Sequence, residues 1–211
     1  MDEDFWNARY DEDDRVWSGD PNGALVDEMT DVAPGRALDL GSGEGDDARW
    51  LAARGWEVTA VDISSVAIDR ARALGAAGSI TWERRDVAVD GPPSGPFDLV
   101  SMQYFPMMRV EGDGPMRALL DVVAPGGTLL WVAHDMTDIH RHQAEHAANA
   151  TDDGPRWRGP DLDSIYHTDH VVALLGDEWA VVRNELRPRR HSGVGGGAHH
   201  VNDVVLRAAR A

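Results

Sequence analysis

The chain has 211 residues and a formal net charge of −17, with 37 acidic residues against 20 strongly basic ones, all of them arginine. It contains no cysteine, which excludes disulfides, thiolate zinc sites and a cysteine nucleophile. Its acidic field repels phosphodiester backbones, so we expect no nucleic-acid partner.

The composition predicts one domain over residues 1–211, because this length suits a single core and no repeat or clear linker divides the chain. No apolar stretch reaches the roughly 18 residues that a membrane span needs. The first residues are acidic where a signal peptide would be basic. We therefore expect a cytoplasmic protein without a membrane partner, either a monomer or a homodimer.

Two helices are predicted in residues 1–33. The first covers residues 3–10, and the second starts at Asp20 and Pro21, where an acid at the N-cap and a proline in the first turn form a start signal. That second helix is expected to end near residue 31, before the Pro34-Gly35 pair. Together they form an N-terminal helical segment.

Residues 34–133 read as alternating strands and helices. Strands are predicted near residues 36–40, 56–61, 79–85, 96–102 and 127–133, with helices such as 46–54 and 115–123 between them. This alternation indicates an α/β fold, Rossmann-like, with a mostly parallel sheet covered on both faces. The carboxyl ends of its strands should converge on one cleft.

Residues 134–211 break this rhythm and then add two late strands. A helix over 169–175 precedes strands near 178–186 and 200–207, which a glycine-rich connection at 193–197 joins. We expect the segment from residue 134 to form an acceptor-side insertion followed by the last two strands.

The loop after the first strand reads Gly41-Ser42-Gly43-Glu44-Gly45. Glycine allows a sharp turn from strand into helix and a close approach of a ligand. A dinucleotide fingerprint would place another glycine at position 46, but Asp46 and Asp47 stand there and would repel a pyrophosphate. The loop therefore favours a nucleoside ligand without phosphates. The alternative is a dinucleotide ligand, in which case the protein would be an NAD-dependent oxidoreductase.

Asp62 lies at the tip of the second predicted strand, about 17 residues beyond the loop. This spacing suits an acid that accepts hydrogen bonds from ribose hydroxyls. The alternative is a helix N-cap, because Ser64, Ser65 and a helical run follow.

Five motifs in order resemble those of class I S-adenosylmethionine-dependent methyltransferases over about residues 5–135. They are Asp39 to Gly45, Ala60 to Ser64, Arg84 to Val87, Phe97 to Val100 and Ala124 to Leu130. The resemblance implies seven strands with the last one antiparallel, S-adenosyl-L-methionine as donor and S-adenosyl-L-homocysteine as product. The patterns W-x-x-R-Y and W-S-G-x-P-N near the N-terminus resemble the tellurite-resistance and thiopurine methyltransferase branch.

The resemblance also implies which residues bind the cofactor. Gly41, Ser42 and Gly43 would pass under the methionine moiety, and Asp39 would hold its amino group. Asp62 with Ile63 would hold the ribose, Asp86 with Val87 would flank the adenine, and Gln103 would close the pocket. Trp6, Tyr10 and Trp17 would form a lid near the sulfonium. Plain helix packing is the alternative for the aromatic residues, and a solvated turn is the alternative for Asp86.

The candidate catalytic residues are His134, Tyr104 and His191. His134 follows the fifth predicted strand and has a suitable pKa for a general base, with an ordinary loop histidine as the alternative. Tyr104 is expected to line the acceptor site. His191 closes an arginine-rich stretch from Arg187, which would attract an anionic acceptor or else form a solvated turn.

The histidines at positions 134, 140, 142 and 146 invite a metal site, since His142 and His146 would share a helical face. The helix signals there are weak and methyl transfer needs no Lewis acid, so we predict no metal.

The predicted function is methyl transfer to a small-molecule acceptor, chiefly a soft nucleophile such as a thiol, selenium or tellurium species. The alternatives are O- or N-methylation of a small aromatic or other metabolite, and non-catalytic S-adenosylmethionine binding.

Overall fold

The computed structural model describes residues 1–75, 78–137, 139–141, 164–190 and 201–211. Three predictions lie outside these ranges: the roles of His191 and of the His142–His146 pair, and the glycine-rich connection at 193–197.

One seven-stranded sheet forms the centre of the protein. Its strands are β1 (Arg36–Leu40), β2 (Glu57–Asp62), β3 (Ser79–Arg84), β4 (Phe97–Gln103), β5 (Val123–His134), β6 (Trp179–Pro188) and β7 (Asn202–Arg210), in the spatial order β3-β2-β1-β4-β5-β7-β6. The first five strands pair in parallel, whereas β7 is antiparallel to both β5 and β6. The prediction of a mostly parallel, seven-stranded α/β sheet with an antiparallel last strand is confirmed.

Seven α-helices and one 3₁₀ helix have both ends within the described residues, and residues 136–137 and 139–141 are also helical. The α-helices are α1 (Glu3–Asp11), α2 (Gly23–Met29), α3 (Asp46–Ala53), α4 (Ser65–Ala73), α5 (Val87–Asp90), α6 (Gly114–Asp121) and α7 (Thr168–Val172), and the 3₁₀ helix is Glu111–Asp113. No helix among these residues is both long and apolar enough to cross a membrane.

The start of α2 differs from the prediction at Asp20 and Pro21. Asn22 occupies the N-cap position of α2, and its side chain bonds to Asp47 instead of capping the helix. The helix was predicted to start near Asp20 and Pro21, and its N-cap lies two residues later than the predicted Asp20, at a residue held by a contact 25 residues away instead of by a local cap.

Apolar side chains from alternate strand positions fill two cores, one on each face of the sheet. Leu38, Leu40 and Met102 pack with α6 on one face. Ala37 and Leu130 pack with α2 and α3 on the other. Because the central strands are covered on both faces, their polar residues reach a ligand at the strand ends.

A buried carboxylate ties α2 to the last two strands. Glu28 is 5% exposed. It accepts hydrogen bonds from Arg187 at 2.9 Å, Arg183 at 3.0 Å and Arg207 at 3.3 Å. Burial opposes ionisation of Glu28, but the bonds from Arg187 and Arg183 outweigh it and hold the pKa below its usual value.

Replacing Glu28 with glutamine is expected to lower the free energy of unfolding by about 2 kcal/mol, since it leaves three guanidinium groups facing a neutral amide. The value is modest because Arg183 is 46% exposed and water screens its charge. The difference between wild type and variant should shrink as the pH falls and Glu28 is protonated. Urea unfolding at neutral and acidic pH measures both effects, with Asp31→Asn, at an exposed position just after α2, as the neighbouring control; equal stabilities at neutral pH would contradict the expectation.

Candidate cofactor and acceptor site

The glycine loop turns directly from β1 into α3. The backbone N–H groups of Gly41 and Ser42 both donate to the Val61 carbonyl, at 2.8 and 3.0 Å, which ties the loop to β2. Gly43 has a φ of +54°, and a Cβ built on it would lie 2.8 Å from the Tyr10 hydroxyl and 3.0 Å from Trp17 Nε1. Both the backbone conformation and the close approach of the aromatic side chains require glycine at this position.

Asp62 is the last residue of β2, and its carboxylate is hydrogen-bonded to the glycine loop. Its Oδ2 accepts from the Gly43 N–H and its Oδ1 from the Ser64 N–H, each at 2.8 Å. Ser64 is the residue that caps α4, by accepting from the Ala67 N–H at 3.1 Å. Asp62 is therefore not the N-cap, and its carboxylate lies beside the glycine loop, where the ribose role was expected.

Three buried side-chain oxygens at this sheet edge have no hydrogen-bond partner within the described part of the chain: Asp39 Oδ2, Ser42 Oγ and Gln103 Oε1. Buried polar atoms are normally bonded, so each of these points to a ligand or water. A carboxylate, a hydroxyl and an amide oxygen fit a donor that carries an ammonium group and hydroxyls. The residues expected to bind S-adenosylmethionine thus offer suitable free atoms.

The same site concentrates buried negative charge. Burial raises the pKa of Asp39 well above its usual value, and the charges of Asp47 and Asp62 raise it further. Burial also raises the pKa of Asp62, and it raises that of Asp47 to about 6. Such a site stabilises a cation and disfavours a pyrophosphate, as the sequence predicted from Asp46 and Asp47.

The expected adenine residues lie at the end of β3. Asp86 is half-buried and caps α5 by accepting from the Ala88 N–H at 3.0 Å. Val87 is buried, and Ile63, after β2, is half-buried. The cap gives Asp86 a structural task, and its adenine role stays a prediction.

The N-terminal aromatic residues pack against the glycine loop. Trp17 Nε1 donates to the Tyr10 hydroxyl at 3.0 Å, and the two rings meet edge to face at 6.4 Å. Trp6 is half-buried in the same small cluster. Tyr10 and Trp17 thus lie beside Gly43, and Trp6 packs against the same cluster, while the contact of all three with a cofactor stays a prediction.

Three polar residues that the sequence analysis missed hold this segment in place. Glu44, inside the glycine loop, accepts from the backbone N–H groups of Val16 and Trp17 at 3.2 and 3.1 Å. Asn22 donates twice to Asp47, at 2.7 Å from each nitrogen. The third residue, Asn7, accepts from the hydroxyl of Ser64 at 2.7 Å.

A second polar group lies at the carboxyl ends of β4 and β5. The Tyr104 hydroxyl donates to Asp203 Oδ1 at 2.8 Å, and the Tyr104 ring stacks on His134 with 4.5 Å between centroids. The Arg189 guanidinium lies 4.4 Å from the Tyr104 ring centroid, and its Nε is 4.0 Å from Asp203. The predicted residues His134 and Tyr104 are thus brought together, with Asp203 and Arg189 beside them.

The neighbouring arginines have acidic partners. Arg187 bonds to Glu28, and Arg190 pairs with Asp27. Arg189 is the member of the stretch that contacts Tyr104. Among the described residues no group of three or more histidine, aspartate or glutamate side chains is arranged to hold a metal ion.

Comparisons with known proteins bear on this site. Residues 37–127 match the model of a family described as a methyltransferase domain. One relative, the ribosomal RNA small subunit methyltransferase C of Chromohalobacter salexigens, is 35% identical over 115 residues. That alignment covers 52% of this chain but only 34% of the relative. An uncharacterised methyltransferase of Mycobacterium bovis is 29% identical over 181 residues, covering 77% of this chain and 89% of the relative.

Solved structures show the same architecture. One, from work on the conversion of a disulfide bond into a thioacetal group during echinomycin biosynthesis, has a TM-score of 0.71 at 24% identity and covers 99% of this chain and 92% of that one. TehB from Haemophilus influenzae has a TM-score of 0.63 at 17% identity and covers 99% of this chain and 66% of that one. A solved S-adenosylmethionine-dependent methyltransferase from Methanosarcina mazei shares this fold, with a TM-score of 0.62 at 18% identity, and covers 90% of this chain and 98% of that one. Together with the methyltransferase domain matched at residues 37–127 and the methyltransferase relatives, this identifies the protein as a methyltransferase that uses S-adenosylmethionine.

Proposed function

We propose that the protein methylates a small molecule at a soft nucleophilic atom, such as a thiol, selenium or tellurium centre. The observation that carries the proposal is the group of side chains at the carboxyl ends of β4 and β5, Tyr104, His134, Arg189 and Asp203, which we call the acceptor edge. There the Arg189 guanidinium lies 4.4 Å from the Tyr104 ring centroid, in a chain of net charge −17. Asp203, 4.0 Å from Arg189 Nε, partly balances this charge, but the guanidinium still places a cation here that would attract an anionic acceptor such as a thiolate. Such an acceptor is already nucleophilic near neutral pH and needs positioning more than deprotonation.

The cofactor supplies a methyl carbon bonded to a sulfonium, and the acceptor atom forms a bond to that carbon as S-adenosylhomocysteine leaves. The work of the chain is to bind and align. We assign cofactor binding to Asp39, Ser42, Asp62 and Gln103, and the covering of the site to the N-terminal aromatic residues. Close alignment and exclusion of water supply most of the rate enhancement that such a displacement needs.

The relatives agree with a small acceptor to different degrees. The structure with a TM-score of 0.71 comes from work on the conversion of a disulfide bond into a thioacetal group, which is sulfur chemistry. The similarity in fold to TehB agrees with the N-terminal sequence patterns W-x-x-R-Y and W-S-G-x-P-N. The name of the Chromohalobacter relative specifies ribosomal RNA. A net charge of −17 opposes binding to a phosphate backbone, so we favour a small molecule over RNA.

The alternative acceptor is a phenol or amine of a small metabolite, and His134 is the observation that favours it. A phenol has a pKa near 10 and profits from a base at the acceptor edge. His134 lies there, stacked on Tyr104.

Screening for S-adenosylhomocysteine release separates the two acceptor classes. We expect turnover with sulfide, thiols, selenite or tellurite, and we expect His134→Ala to leave thiol methylation within about threefold of wild type, since a thiolate needs no base. Asp69→Asn, an exposed acid on α4 away from the site, serves as control. Turnover with phenols or amines alone, abolished in His134→Ala, would overturn the soft-nucleophile proposal.

Cofactor binding is expected to release protons near pH 6. Burial raises the pKa of Asp47 to about 6, above its value in the unfolded chain. The protonated acid therefore stabilises the folded state at low pH, and this stabilisation is lost as the pH rises through about 6. A cation bound nearby favours the ionised acid, so the affinity should increase as the pH rises from about 5 to about 7, by at most about tenfold per pH unit for each linked proton. Calorimetry in buffers of different ionisation enthalpy measures the release, which Asp47→Asn should reduce and Asp121→Asn should leave unchanged; a flat pH profile would contradict the linkage.

A further inference from the structure

Tyr104 has an unusual backbone conformation at the end of β4. Its φ of +55° lies in the left-handed region, which residues other than glycine adopt at a cost of about 1 kcal/mol. The surroundings hold it there: its N–H donates to the Val132 carbonyl at 2.7 Å, and its hydroxyl donates to Asp203 at 2.8 Å. The ring direction is thus fixed at both ends of the residue.

Asp203 is the distant anchor of this arrangement. It lies near the start of β7, opposite His134 in the strand register, and is only 2% exposed. Burial, and then the charge of Asp203, raise the pKa of Tyr104, so the phenol keeps its proton and donates it to the carboxylate. Because its phenol stays protonated and bonded to Asp203, Tyr104 can line the acceptor site but cannot act as a general base.

We propose that Asp203 is a positioning residue of the acceptor site, which holds the Tyr104 ring in place as the surface against which the acceptor is aligned; the stacking of this ring on His134 reports its position. The inference rests on the proposed function for the identity of the acceptor edge. Arg189 completes the group, since its guanidinium contacts the same ring and its Nε lies 4.0 Å from the Asp203 carboxylate. The chain therefore uses a residue from β7 to orient a side chain that follows β4.

Two variants of Asp203 separate charge from anchoring. Asp203→Asn keeps an oxygen that accepts from the Tyr104 hydroxyl, whereas Asp203→Ala removes it. We expect kcat to fall about 10- to 100-fold in Asp203→Ala and by less than about tenfold in Asp203→Asn, with the S-adenosylhomocysteine Kd within about twofold of wild type in both. Partial rescue by asparagine at unchanged cofactor affinity is not what general unfolding would produce.

A double-mutant cycle with Tyr104→Phe tests the pairing directly. If Asp203 acts through the tyrosine hydroxyl, the double variant Asp203→Ala with Tyr104→Phe should lose no more activity than the worse single variant. Asp121→Asn, at the exposed end of α6, is the matched control. Fully additive losses, or a weaker cofactor Kd in step with kcat, would overturn the inference.

A spectroscopic readout keeps the inference testable without an acceptor. Because the Tyr104 and His134 rings stack at 4.5 Å, the His134 ring protons should carry a ring-current shift in the NMR spectrum of the protein loaded with S-adenosylhomocysteine. Asp203→Ala should abolish that shift and Asp203→Asn should retain it. Retention in both variants sinks the positioning role, whereas lack of turnover with any soft acceptor sinks only the proposed function.

Discussion

Replacing Asp62 with asparagine is expected to weaken S-adenosylmethionine binding about 100-fold. The carboxylate accepts from the N–H groups of Gly43 and Ser64 at 2.8 Å, one on each oxygen. An asparagine has one oxygen, so its amide nitrogen would face one of these donors. The glycine loop would lose a charge-assisted bond, and the ribose hydroxyls that we assign to Asp62 would lose an acceptor.

Titration calorimetry with S-adenosylhomocysteine measures this loss without depending on the acceptor. Asp69→Asn provides the control, because Asp69 lies on α4 with its side chain 77% exposed and pairs only with Arg72 among the contacts that the structure gives it. Circular dichroism must show that Asp62→Asn remains folded. An affinity within about threefold of wild type would refute the role of Asp62 as the main anchor of the nucleoside.

Much of the sheet was predictable because its signals are local. The strand at Arg36–Leu40 was predicted at its observed bounds, and the other strands of the core lie within a few residues of their predicted positions. Apolar runs, glycines and prolines mark such elements wherever the chain folds back. The position of Asp62 beside the glycine loop followed from the same local spacing, combined with the convergence of parallel strand ends.

The residues that the sequence did not reveal act across long separations. Asp203 bonds to a tyrosine 99 residues earlier, and Glu44 bonds to backbone atoms 28 and 27 residues earlier. One signal was present for Asp203, since a charged residue beside the apolar run from Val204 is costly to bury without a partner. Its partner depends on the strand order, in which β7 lies beside β5, and one sequence does not specify that neighbour from local patterns.

Glu44 joins the glycine loop directly to the N-terminal segment. This carboxylate is 2% exposed, accepts from the N–H groups of Val16 and Trp17, and pairs with Arg70 at 3.3 Å. Position 44 also follows Gly43, which contacts Tyr10 and Trp17. The segment that covers the loop is therefore attached to the loop itself, and a change at position 44 should affect both.

Replacing Glu44 with alanine is expected to cost about 3 kcal/mol of unfolding free energy, because a buried N–H, a partly buried N–H and Arg70 lose a shared acceptor, although Arg70 keeps its bonds to the Asp13 and Asp14 carbonyls. The N-terminal segment should then open more often than the core, so trypsin should cleave after Arg15 well before the rest of the chain. Limited proteolysis with mass spectrometry follows this cleavage.

Glu12→Ala is the matched control for this experiment, because Glu12 belongs to the same segment but is exposed and pairs with Arg9 alone among the contacts that the structure gives it. Glu44→Gln should lie between alanine and wild type, since its oxygen retains one acceptor while the charge facing Arg70 is lost. Saturating S-adenosylhomocysteine should slow the cleavage of wild type more than that of Glu44→Ala, because a covered cofactor stabilises the closed segment only while the segment is attached. Equal cleavage rates at Arg15 in wild type and Glu44→Ala would show that the aromatic contacts hold the segment without this carboxylate.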